Sequence, residues 1–138
     1  MKKFVYKDHT ADLIIEARGL TLKKAIENCA KGLFSLTANQ KLLSSAKKVK
    51  IKVKASSLEE LVSLVLDALV AESDARELFF KEFKVEKIDG EKISLTGTAL
   101  GCKMTPEAGE LHVKAVTHHE TIVKKTRDGW LVRVLLDI

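Results

Sequence analysis

The chain has 138 residues, 46% apolar and 31% charged, with 24 lysines and arginines against 19 acids and a formal net charge of +5. That length and balance describe one folded domain, residues 1–138, able to bury a core without disulfides or structural metal, and exclude a disordered tail protein. The positive bias suits an acidic partner, RNA included, but is too mild to select one.

The elements follow in chain order. Met1-Lys2-Lys3 is charged and Lys7-Asp8-His9 is polar again, so no apolar run of signal-peptide shape opens the chain and a cytoplasmic location is expected. Lys3 to Lys7 reads as a short strand, and Lys7-Asp8-His9-Thr10 as a polar corner. Asp12 to Ala17 alternates, with Leu13, Ile15 and Ala17 on one face and Asp12, Ile14 and Glu16 on the other. Gly19 breaks that strand. Thr21 is a helix N-cap, and Leu22, Ala25, Ile26, Cys29, Ala30, Leu33 and Phe34 follow at helical spacing until Thr37-Ala38-Asn39-Gln40.

Lys48 to Lys54 is the clearest strand, with Val49, Ile51 and Val53 inward and Lys48, Lys50, Lys52 and Lys54 outward. Ser57-Leu58-Glu59-Glu60 is a capping box, in which Ser57 takes the Glu60 amide and Glu60 reaches back. The helix it opens is apolar around most of its girth and is expected to be buried. Glu59, Glu60, Ser63 and Asp67 interrupt it, so it spans no membrane. Strands follow: Phe79 to Ile88, a turn at Asp89-Gly90, Ile93 to Leu100, a loop at Thr105 to Gly109, then Leu111 to Thr117. Ile122 to Lys125, a second turn at Asp128-Gly129, and a final strand from Trp130 to Leu136 complete an α+β domain. Its expected form is two helices packed on a mostly antiparallel sheet.

Several clusters invite a functional reading. The row Lys48, Lys50, Lys52 and Lys54 suits phosphates, but no aromatic residue is interleaved for base stacking, and such a row is ordinarily a solvated sheet face or protects a sheet edge. His118-His119 invites a metal, yet neighbouring strand residues point to opposite faces. His119 shares parity with Leu111, Val113 and Ala115 and is expected as a packed or hydrogen-bonded core histidine. Cys29 and Cys102 lack close metal-ligand spacing and read as small buried hydrophobes. No Gly-x-Ser-x-Gly, phosphate loop or dinucleotide fingerprint occurs, which disfavours enzymes of those classes.

Asp137 and the main-chain carboxylate of Ile138 close the last strand together. Two readings stand for them. One is a strand end dissolving into water with Arg133, on the same face, as a partner. The other is a divalent-cation site whose third ligand comes from elsewhere in the chain.

His9-Thr10-Ala11-Asp12, Gly19-x-Thr21-Leu22, Gly32-Leu33-Phe34, Leu78-Phe79, Val113 to His119, Asp128-Gly129-Trp130 and Asp137-Ile138 together resemble the archease family, in order and over essentially the whole chain. The resemblance implies a small non-catalytic protein cofactor of the GTP-dependent tRNA-splicing RNA ligase, promoting its guanylylation and repeated turnover. It also implies a chaperone-like effect on a tRNA methyltransferase. Contact with RNA is expected to be indirect. Carried over by position, the metal ligands are Asp12, Asp137 and Ile138, for calcium, magnesium or manganese, with Lys114 and His119 in supporting roles. The chain departs from the family pattern in places. Leu13-Ile14 follows Asp12 without the usual glycine, Ala38 or Asn39 replaces an acid after the first helix, and Leu64 and Leu66-Asp67 replace an aromatic and Asn-Glu. Cys102 and Met104 stand where the loop before Glu110 usually carries charges.

Two other functions remain in play. One is an independent metal-dependent hydrolase using the same acids, with the ion activating water. The other is an RNA-binding module built on the lysine row.

Overall fold

The computed structural model describes residues 3–9 and 12–138, the side chains of Asp8 and His9 aside. The described elements run β1 (Phe4–His9), β2 (Asp12–Gly19), α1 (Leu22–Thr37), β3 (Lys47–Lys54), α2 (Leu58–Arg76), β4 (Leu78–Asp89), β5 (Ser94–Lys103), β6 (Ala115–Thr126) and β7 (Gly129–Asp137). A short 3-10 turn, Gln40–Leu42, follows α1. The α+β class read from the sequence holds, and every strand pairing described is antiparallel. The strands divide into two sheets rather than one, ordered β1-β2-β7-β6 and β3-β5-β4. Both helices touch both sheets, and one continuous core joins all of them.

The helices start where their caps dictate. Thr21 Oγ1 accepts the Lys24 amide at 3.1 Å, and Ser57 Oγ accepts the Glu60 amide at 3.1 Å. The return bond of the expected capping box lands one residue early: the Glu60 carboxylate takes the Ser56 amide and hydroxyl, at 2.9 and 3.0 Å. These bonds outweigh the effect of burial and hold the Glu60 carboxyl below its ordinary range. Apolar spacing then decides which face is buried. Ala25, Ile26, Cys29 and Ala30 of α1 and Leu61, Val62, Val65 and Leu66 of α2 are all 0% exposed, each large one contributing about 1.5–3 kcal/mol.

Two helix carboxylates close sheet edges. Glu27 of α1 accepts the Val85 amide on edge strand β4 at 2.9 Å, and Asp67 of α2 accepts the Val116 amide on edge strand β6 at 3.3 Å. Edge amides that would otherwise invite another strand are thereby satisfied internally. On β3 the lysines are exposed as expected, with Lys50 paired to Glu86 across the sheet.

The connection from α1 into β2 and β7 rests on two glycines. A Cβ at Gly19 would lie 2.4 Å from the Ala25 amide nitrogen, and one at Gly129 would lie 2.3 Å from the Gly19 carbonyl oxygen. Gly129 also has φ +145, outside the range of other residues. The first turn of α1 therefore packs directly on the β2–β7 backbone.

Two expectations for the region before β7 are corrected. Leu111 to Lys114 is not strand, and β6 begins at Ala115. The apolar alternation there serves another purpose. The Glu110 and Leu111 amides bond the Thr37 and Leu36 carbonyls that α1 leaves open at its C-terminus. His119 is exposed rather than packed in the core. The ladder shifts register between Thr117 and Ile122, and Glu120 takes φ 61, so the bulge breaks the parity that linked His119 to Val113.

Candidate metal centre

The site begins with register. The core face of β2 (Leu13, Ile15, Ala17) must meet the core face of β7 (Leu136, Val134, Val132), and these residues do stand opposite one another. Once that pairing is set, the other face follows by alternation: Asp12 opposite Asp137, Ile14 opposite Leu135, Glu16 opposite Arg133. Residues directly opposite in an antiparallel pair hold their Cβ atoms about 4.5–5.5 Å apart. Asp12 and Asp137 are thus cross-strand neighbours at one end of the sheet.

The three rungs differ in charge. At the Glu16 rung, Arg133 donates from Nη2 at 2.7 Å and Nε at 3.1 Å, and Lys7 adds an ion pair at 3.4 Å. Burial would raise the Glu16 carboxyl, but these cations hold it below its ordinary range. Arg133 therefore serves Glu16, not Asp137 as expected for a strand end in water. Between the charged rungs, Ile14 and Leu135 are only 8% and 6% exposed. The Asp12 rung pairs two acids, whose hard oxygens suit a divalent cation.

Asp137 is held from both sides. Its neighbour on β6 is Ala115, and its carbonyl accepts the Lys114 amide at 2.8 Å. Asp12 and Asp137 are half-buried, and Ile138 is 37% exposed beside them. Lys114 is exposed next to the rung. His119 lies four residues beyond Ala115 along β6, roughly 13 Å at a strand's rise per residue. Its neighbour His118 turns instead to α2, where Nδ1 is 3.0 Å from Ser63 Oγ. Of the residues singled out in the sequence, the fold brings together Asp12, Asp137, Ile138 and Lys114. Thr10, Ala11 and the His9 side chain lie outside the described residues. Among the described residues, no three histidine, cysteine, aspartate or glutamate side chains gather at metal-holding range. The candidate ligand set is two side-chain carboxylates plus the main chain of Ile138, an all-oxygen set suited to a hard divalent ion.

Two residues outside this site escaped the sequence reading. Tyr6 donates from its hydroxyl to the Gly32 carbonyl at 2.9 Å, and burial, then Glu110, push its phenol above the ordinary value. Glu110 is brought there by the strap of residues 109–114, which runs from the end of α1 to the Asp137 carbonyl. No local pattern marks such a strap, because its partners are backbone atoms of distant segments. The cysteines also differ from one another. Cys29 is fully buried and its thiol is pushed up to about 12 by that burial, whereas Cys102 is half-buried and accepts the Ser44 amide.

Comparison with known proteins covers the whole chain. Residues 4–138 match the Archease protein family (MTH1598/TM1083). The chain is 35% identical to Protein archease of Methanosarcina barkeri, covering 99% of this chain and 97% of that protein. It is also 35% identical to Protein archease of Pyrococcus furiosus, over the full length of both. The solution structure of Methanobacterium thermoautotrophicum protein 1598 superposes with a TM-score of 0.84 at 30% identity over 100% of both chains. The crystal structure of an archease, possible chaperone, from Thermotoga maritima shares the fold, with a TM-score of 0.64 at 17% identity over 100% of this chain and 98% of that one.

Proposed function

The chain belongs to the archease family, and from that premise we propose a cytoplasmic, non-catalytic protein cofactor that activates the GTP-dependent tRNA-splicing RNA ligase. The observation that carries this reading is the Asp12–Asp137 rung. Two acids held face to face by a core-determined register, with the main-chain carboxylate of Ile138 beside them, form a hard-oxygen end suited to calcium, magnesium or manganese. A divalent ion bound there would supply a Lewis-acid centre with positions open to a partner's phosphate or carboxylate oxygens.

The chain's own residues do the holding. The β2–β7 register sets the spacing of the two carboxylates, and the Lys114 amide anchors the Asp137 backbone from the far side. Ile14 and Leu135 exclude water below the rung. Arg133 is engaged with Glu16, two rungs away on the same face. Lys114, exposed at the edge of the rung, is placed to meet an anionic group on the partner.

The test is guanylylation of the RNA ligase from the same source by GTP, with and without this protein. Stimulation by the wild type and its loss in Asp12→Asn support the reading. An intact ligase that gains nothing from the wild type contradicts it.

A further inference from the structure

A second feature is built partly from the strap of residues 109–113. The C-terminal halves of α1 and α2, the start of β4 and residues 109–113 enclose a cleft of about 380 Å³, within the range of about 300–1,000 Å³ usual for binding sites. Its walls are apolar, formed by Leu33, Phe34, Leu69, Val70, Phe80 and Val113. Leu69, Phe80 and Val113 are 1%, 2% and 2% exposed, so the floor is the hydrophobic core itself. Phe34 and Phe80 pack there with ring centroids 5.7 Å apart. Leu111 stands at the lip, 38% exposed.

The rim reverses the charge of the rest of the protein. Asp74, Glu77 and Glu110 line the mouth and are all exposed. Among the described residues lining it there is no lysine or arginine, although these outnumber acids by 24 to 19 in the chain. Arg76, next to Glu77 in the chain, is paired with Glu72. Among the described residues lining the cleft, the basic side chain is that of His112, whose Nε2 lies 3.7 Å from Asp74 Oδ1.

We propose that this cleft docks a short segment of a partner protein in which apolar anchor residues alternate with lysine or arginine. The apolar floor rewards burial of an anchor side chain, the usual centre of binding energy in an interface. The three carboxylates then select what flanks that anchor. An acidic segment meets like charge at the rim, and a wholly apolar one strips water from carboxylates without replacing it. A basic flank satisfies both. The proposal is independent of the ion-binding reading, because no cleft residue belongs to the Asp12–Asp137 rung.

The experiment titrates the isotope-labelled full chain with a synthetic peptide of alternating leucine and lysine, and with the same peptide carrying glutamate for lysine. The amides of Leu111, His112 and Val113 are expected to shift with the lysine peptide. The glutamate peptide is expected to bind about tenfold more weakly or worse. Both substituted positions of the double variant Asp74→Lys, Glu110→Lys are exposed, so its amide spectrum should report a preserved fold while affinity for the lysine peptide falls about tenfold. Binding should persist unchanged in chelator, which separates this site from the ion site. Equal binding of the two peptides, shifts confined to other surfaces, or loss of binding in chelator would overturn the proposal. So would a concentration-dependent dimer, detected by light scattering and abolished by the double variant, since that result assigns the cleft to a second copy of the chain.

Discussion

Asp12 on β2 stands directly across the ladder from Asp137 on β7, with Lys114 hydrogen-bonded to the Asp137 carbonyl on the other side. Two rungs along the same face, Glu16 stands across from Arg133 in a two-point hydrogen-bonded ion pair. One β2–β7 surface therefore holds an acid–base rung and an acid–acid rung, with Ile14 and Leu135 between them.

The Glu16 rung should reveal itself in acid. Its folded carboxyl lies below the ordinary value, so its stabilisation is complete above the ordinary carboxylate range and is lost as pH falls through the folded value. Arg133→Met should cost roughly 1–2 kcal/mol at neutral pH and move the acid-unfolding midpoint to higher pH. Urea titrations followed by circular dichroism at neutral and acid pH check both.

Extending the chain beyond Ile138 should weaken the proposed ion site while leaving the fold alone. A short C-terminal tag removes the terminal carboxylate but touches no core residue, since Ile138 is exposed beside Asp137. Calcium affinity measured by calorimetry should drop in the tagged protein, with its thermal midpoint in chelator unchanged. A tagged protein that binds as tightly would remove Ile138 from the ligand set.

Gly129 should tolerate no side chain. Alanine there would need φ +145 and a Cβ 2.3 Å from the Gly19 carbonyl oxygen. Gly129→Ala is expected to destabilise by about 2–4 kcal/mol, whereas alanine at Gly90, whose Cβ meets nothing within 4 Å, should cost far less. Denaturant midpoints of the two variants give the comparison.

The cysteines should differ in reactivity. Cys29 is fully buried with its thiol pushed up to about 12, so native protein should leave it unmodified by iodoacetamide at pH 8 while Cys102 reacts. Mass spectrometry of digests before and after unfolding measures this directly, with Cys29 labelled only after unfolding.

Much of the fold was legible because its signals are periodic or positional. The Thr21 and Ser57 caps, the helical stripe from Ala25 to Phe34 and the strict alternation of β3 each express one local rule, and tertiary contacts agree with them. The failures have a common cause in long-range backbone pairing. Leu111 and Val113 alternate like a strand, but their segment is recruited to close the open carbonyls of α1. Glu120 adopts a left-handed conformation that its residue type does not announce, and the bulge there moves His119 out to solvent. Of the candidate site, the residues at the chain's end were visible as a pair of anions. Their meeting with Asp12 is a matter of register, which becomes definite only once Leu13, Ile15 and Ala17 must face the core opposite β7. The apolar cleft drew its lining from four separate segments and left no local trace.

The Asp12–Asp137 rung is tested most directly by thermal unfolding of the untagged protein in calcium and in chelator, wild type beside Asp12→Asn. At calcium a hundredfold above its dissociation constant, linkage adds about 2.7 kcal/mol, which for a domain of this size raises the midpoint by several degrees. The wild type is predicted to show that rise and Asp12→Asn to lose it. Equal rises in both proteins, or none in the wild type with calcium, magnesium or manganese, would contradict the account.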